Sequence, residues 1–182
     1  MKKILLLTGV ALLAVNNANA SDFAMVKPYI GADYVYSRAH QGGPAKGFKK
    51  NFHSGKVDLG MQIYNNIYTE FSSQMSGELK NHQDGKRIKN SFQAYAMDLY
   101  GKYPIMCSNL SALLSGGAAI YHVNYKGMEN KSFNKVGYRA GIGMQYDFNQ
   151  NWAARVLGRY SYVGADRLNN LKEVTVGMLY RF

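Results

Sequence analysis

What the chain has little of narrows it first. One cysteine, Cys107, stands among 182 residues, which excludes an internal disulfide framework. Proline occurs only three times and tryptophan once. Acids are scarce beside bases, 11 Asp and Glu against 22 Lys and Arg, and a basic surface attracts anions. Beyond residue 20 no stretch approaches the ~18 consecutive apolar residues that a membrane-spanning helix needs. That rules out a helical span but not a membrane β-barrel, whose apolar residues hide at alternate positions. His-Glu-x-x-His and similar metal-ligand spacings are missing, so no metal or other cofactor is expected.

What is present points to export and to strands. "MKKILLLTGVALLAVNNANA" opens with Lys2 and Lys3, continues through an apolar run from Ile4 to Val15, and closes on Ala18-Asn19-Ala20. A basic start, a short apolar core and a small-x-small site form a secretory signal pattern, so residues 1–20 are expected to be cleaved. Residues 21–182 then form one domain, long enough to bury a real core. The 15 Tyr and 19 Gly suit strands and close backbone packing better than helices.

The segment "EVTVGMLYRF" alternates by twos: Val174, Val176, Met178, Tyr180 and Phe182 fall on one side, Glu173, Thr175, Gly177, Leu179 and Arg181 on the other. Period-two alternation marks a strand between two different environments. Eight such stretches are predicted, at 28–37, 55–64, 67–76, 91–100, 111–121, 136–146, 152–162 and 172–182. The gaps between them are 17, 2, 14, 10, 14, 5 and 9 residues, so long and short connections alternate. Strands of this length can cross a bilayer when tilted. The expected fold is therefore all-β: an eight-stranded antiparallel up-and-down transmembrane barrel with long extracellular loops and short periplasmic turns.

The two faces differ in charge. The set containing Val174 continues as Ile30, Ala32, Tyr34 and Tyr36; Val57, Leu59, Met61 and Ile63; Leu114, Gly116, Ala118 and Ile120; Tyr138, Ala140, Ile142, Met144 and Tyr146; and Trp152, Ala154, Val156 and Tyr160. None is charged, and this face is expected to meet lipid. The opposite face carries Asp33, Lys56, Asp58, Glu70, Asp98, Arg139, Arg155, Arg159, Glu173 and Arg181, five acids and five bases. A lipid-facing Arg or Lys costs ~2–4 kcal/mol at mid-depth. These ten are expected to pair inside the lumen, acids of the first half with arginines of the second, as a plug rather than a pore. On the same logic a lumen-facing Gly177→Ser exchange is expected to be milder than Met178→Arg.

Charge outside the strands is one-sided. The loops hold 13 bases against Glu78, Asp84, Glu129 and Asp166. The main candidates for ligand binding are Lys46, Lys49 and Lys50 in the first loop and Lys80, Lys86, Arg87 and Lys89 in the second. Lys126, Lys131 and Lys135 follow in the third. Phe48, Phe52, Tyr125 and Phe133 are the aromatic loop contacts to consider should binding ignore salt.

The signal sequence, "PYIGADYVYS", the hairpin "VGYRAGIGMQYDFNQNWAARVLGRYSY" and the terminal "VTVGMLYRF" together resemble the small eight-stranded outer-membrane β-barrel family of opacity-type and attachment–invasion surface proteins. The resemblance implies that the aromatic end, with Tyr180 and Phe182, is read by the barrel-assembly machinery. It implies location in the bacterial outer membrane, among its lipid and lipopolysaccharide, and most simply a monomer.

Three functions follow from it. The leading expectation is a surface-exposed barrel whose basic loops bind host or anionic surface ligands, such as a glycan or matrix protein, in the manner of an adhesin. A structural barrel that steadies the membrane through lipopolysaccharide is the alternative, and a lipid A-modifying enzyme is third. The deacylase type resembles His-x-Ser, yet His40, His53, His82 and His122 are followed two residues on by Gly42, Gly55, Asp84 and Asn124. No catalytic residue is therefore assigned, and nothing argues for nucleic acid.

Overall fold

The computed structural model describes residues 27–40, 51–83, 86–105, 109–126, 131–165 and 168–182. The side chains of 80–83, 86–88, 125, 126, 131, 133, 165 and 168 lie outside that description, as do the expected signal segment 1–20 and Cys107.

Nine strands follow one another: β1 (Pro28–His40), β2 (Asn51–Tyr64), β3 (Ile67–Ser76), β4 (Leu79–Gln83), β5 (Lys86–Pro104), β6 (Leu110–Lys126), β7 (Lys131–Asp147), β8 (Trp152–Ala165) and β9 (Leu168–Arg181). All consecutive strands except β3 and β4 pair antiparallel, and β9 returns to β1 from Tyr29↔Arg181 to His40↔Asn170. The ring is completed by β3 on β5, from Ile67↔Gly101 to Met75↔Gln93. Eight strands thus close the barrel and leave no open edge in its wall. The short β4 prolongs the line of β3 past Gly77 and Glu78 and pairs with the start of β5, from Leu79↔Asn90 to Gln83↔Lys86.

At one end, here the turn end, the strands are joined by Asn65–Asn66 and by residues 105–109 and 148–151. The first turn is tied by Gln62 Nε2, which donates to the Asn65 carbonyl at 2.7 Å. Asn149 Oδ1 accepts from the backbone N–H of Asn151 and Trp152 and shapes the turn before β8.

At the opposite, loop end the strands run further than their apolar pattern foretells. Asn51–Ser54, Lys86–Asn90, His122–Lys126 and Lys131–Lys135 read as loops because polar residues occupy both faces, yet their backbones stay in the ladder. A ladder needs only paired N–H and C=O groups; apolar alternation is needed only where lipid lies outside. The connections at this end are accordingly shorter than expected, with only 127–130 between β6 and β7 and only 166–167 between β8 and β9.

Burial alternates along the wall strands, as in β1, where every second residue from Tyr29 to Ala39 is buried and those between are exposed. Ile30, Tyr34, Val57, Leu114, Ile120, Tyr138, Ile142, Val156, Val174, Val176 and Met178 are all exposed on the outer face. No helix of the described residues is long and apolar enough to cross a membrane. Aromatic rings meet at the turn-end rim, Trp152 with Tyr180 at 5.0 Å, Tyr180 with Phe182 at 5.3 Å and Tyr146 with Phe148 at 5.3 Å between centroids. Such girdles sit where a membrane meets water.

Candidate functional site: the packed lumen and the loop end

The lumen is filled in layers. Its middle layer gathers Asp33 from β1, Lys56 and Asp58 from β2, Glu70 from β3 and Arg155 from β8. Lys56 Nζ lies 2.6 Å from Asp33, 2.9 Å from Asp58 and 3.6 Å from Glu70, with no side-chain exposure on any of them. Arg155 reaches Asp33 and Asp58 at 2.7 Å and Glu70 at 2.5 Å, so a single guanidinium ties three strands to a fourth. Tyr29 and Tyr100 each donate a phenolic hydrogen bond to Glu70, at 2.9 and 3.0 Å. Buried charges are tolerable only when their lone pairs and protons are met in this way.

Above it, toward the loop end, Arg139 binds Asp98 through Nε at 2.7 Å and again through Nη2, and also donates to Ser72 Oγ. Arg159 donates to the Tyr100 hydroxyl at 2.8 Å and stands 3.5 Å from Asp98. Its Nε and Nη1 are buried without a hydrogen-bond partner among the described residues. Glu173 accepts from Ser37, Gln74 and Ser161. Below, at the turn-end mouth, Asp147 takes Lys102 at 2.6 Å and Arg181 at 2.5 Å. Asp147 and Lys102 join the ten expected lumen charges, giving six acids and six bases inside.

Glycine makes room for these pairs. Gly177 on β9 lies directly between Asp33 on β1 and Arg155 on β8, and the ion pair closes over it. A Cβ there would run into the Asp33 carboxylate and stand 2.7 Å from the Ala32 carbonyl oxygen. Gly117 sits in the same relation between Asp98 on β5 and Arg139 on β7. The expectation that Gly177→Ser is milder than Met178→Arg does not fit this packing: the lumen face is not empty at that point but occupied by a carboxylate. Parity along the strand placed Gly177 inside, but only the ring register reveals what lies beside it.

The loop end of the lumen is apolar, which the charge pattern did not foretell. Ala39, Phe52, Phe92, Ala94, Ala96, Ala119, Tyr121, Val123, Val163 and Leu171 form one buried cluster there. Phe52 and Phe92 meet edge to face at 5.2 Å. Phe52 is thus a core residue, 1% exposed, and not an exposed loop contact. It was misread because it lies beyond the last clear alternation of β2. The aromatic candidate Phe48 lies outside the described residues, as do the side chains of Tyr125 and Phe133. At the other end a small recess opens among Tyr29, Tyr68, Tyr100, Lys102, Gln145 and Arg181.

Of the basic candidates outside the lumen, Lys46, Lys49 and Lys50 lie outside the described residues. The backbones of Lys80, Lys86, Arg87, Lys126 and Lys131 stand in the loop-end ladders, while their side chains lie outside the description. Lys89 pairs with Glu78 at 2.9 Å, and Lys135 is exposed. Of the histidines, His53 shares a hydrogen bond with the Tyr34 hydroxyl, and His122 one with Asn134.

A closed antiparallel wall, apolar outside and charged within, is the form of an outer-membrane barrel, and the family model described as "Outer membrane protein beta-barrel domain" matches residues 5–182. The chain belongs to that family. Solved outer-membrane barrels share its fold: Neisserial surface protein A is superposable with a TM-score of 0.69 at 12% identity, covering 85% of this chain and 97% of that one. Ail, the attachment invasion locus protein of Yersinia pestis, gives a TM-score of 0.62 at 18% identity, covering 87% and 100%. Ail has also been solved in complex with the heparin analogue sucrose octasulfate. An uncharacterized protein of Coxiella burnetii is 25% identical over 121 residues, 52% of this chain and 49% of its own length. The chain thus spans about half the length of that curated relative. Family and fold place the protein in the outer membrane, in contact with its lipid.

Proposed function

We propose that this outer-membrane barrel is a non-conducting surface protein whose loop end binds anionic ligands, an adhesin-like role rather than that of a pore or an enzyme. The observation that carries the reading is the partition of charge. Six acids and six bases fill the lumen and cancel there. The basic excess of the sequence is left to the loop end, where Lys46, Lys49, Lys50, Lys80, Lys86, Arg87, Lys89, Lys126, Lys131 and Lys135 fall. In a barrel with short periplasmic turns that end faces outward. A dense positive surface draws polyanions, and draws them less as salt rises. The complex of Ail with a heparin analogue gives the reading a precedent on the same fold. Its partners are then a sulfated or acidic host glycan or matrix protein, with lipopolysaccharide around the wall. The chain functions as a monomer that the barrel-assembly machinery inserts after loss of residues 1–20.

Heparin binding by the refolded protein tests it. Charge reversal of Lys86 and Arg87, or of Lys46, Lys49 and Lys50, is expected to weaken binding at least tenfold. Raising salt to ~1 M, where screening falls to ~3 Å, is expected to abolish it. Binding indifferent to both salt and reversal would contradict the proposal.

A further inference from the structure

On the outer wall, at the loop end, two cations face each other with no acid between them. Arg38 on β1 and Lys172 on β9 are direct cross-strand partners, and both are exposed on the lipid-facing side. Residues directly opposite in an antiparallel pair hold their Cβ atoms ~4.5–5.5 Å apart, and like charges so placed repel. Neither makes an ion pair with a carboxylate among the described residues. Their other cross-strand partners are neutral: Asn51 opposite Arg38, and Tyr160 opposite Lys172.

Depth says what meets them. Tyr180 belongs to the aromatic rim at the turn end, and Lys172 lies eight residues further along the same strand. At ~3.3 Å per residue and a tilt of ~40° that is ~20 Å across the membrane, near the far edge of an apolar band ~25 Å tall. Tyr36 lies one step nearer the bilayer on β1 and Tyr160 beside Lys172 on β8, both exposed on the same face. The pair therefore stands where the outer leaflet changes from acyl chain to headgroup.

We infer that Arg38 and Lys172 form a clamp for a phosphate group on a glycolipid headgroup of the outer leaflet. The Arg fork can take two phosphate oxygens while the Lys ammonium takes a third as a point charge. Tyr36 lies beneath the pair, where the sugar meets its acyl chains, and Tyr160 stands beside Lys172. The bound anion removes the repulsion that the bare pair would carry. This site is on the lipid-facing wall and does not depend on ligand binding by the loops.

The test is native mass spectrometry of protein released from nanodiscs made with bisphosphorylated lipid A, set beside nanodiscs made with the same lipid stripped of its phosphates. Wild type is expected to retain the phosphorylated lipid at least tenfold better than the stripped one. Lys172→Glu is expected to lose that retention while folding at least as well, because a carboxylate at 172 pairs with Arg38. Arg38→Gln with Lys172→Gln is expected to lose it too. Lys27→Gln, exposed at the turn end and outside both the pair and the loop end, is expected to retain the lipid as wild type does. Equal retention by Lys172→Glu, equal binding of the stripped lipid, or an equal loss in Lys27→Gln would each overturn the assignment.

Discussion

Arg155 and Gly177 stand opposite each other on β8 and β9, and each makes the other's surroundings possible. Without the guanidinium, Asp33, Asp58 and Glu70 would share only the Lys56 ammonium. Arg155→Leu is therefore expected to cost ~3–5 kcal/mol, the usual penalty for stranding buried charge. Gly177→Ser should cost as much, since its side chain displaces the Asp33 carboxylate from that pair. Gly116→Ser is the control. It points outward with nothing within 4 Å of a new Cβ, so it should stay within about 0.5 kcal/mol of wild type. Urea midpoints in detergent, read from gel mobility of unboiled samples, separate the three. A wild-type midpoint for Gly177→Ser would refute the packing described for the lumen. At this scale the face of each residue was legible in the sequence, because parity alone decides it. Contacts across the ring were not. They depend on a register that brings together residues as distant as Asp33 and Arg155, with Gly177 between them.

The strands themselves were legible where lipid lies against them. Their centres could be found because every second residue must be apolar there, as in β9 from Val174 to Phe182. Their loop-end extensions were not, since Lys86–Asn90 and Lys131–Lys135 carry polar side chains on both faces while their backbones remain paired. The short β4 was missed for the same reason. Two outcomes belong to the last strand. Met178→Arg puts a cation on the lipid face and is expected to destabilise the barrel by ~2–4 kcal/mol, visible as a shifted urea midpoint. Deleting Phe182, 72% exposed at the aromatic rim, is expected to lower the amount of folded, heat-modifiable protein in outer-membrane fractions more than it lowers the midpoint. Unchanged amounts would detach that residue from assembly.

Taken whole, the barrel is closed in two ways. A charge-balanced network packs its middle, and Phe52, Phe92 and their neighbours seal the loop end with apolar side chains. A small recess opens at the turn end. The architecture was legible from strand count and alternation, and so was the charge of the inner face. The apolar seal was not, because its residues lie at or beyond the ends of the recognisable strands. The proposed function has such a protein act at its outer surface. Planar-bilayer recording with the purified, refolded chain tests that claim most directly. The account predicts insertion without steady conductance steps; large, stable steps would show an open lumen and contradict it.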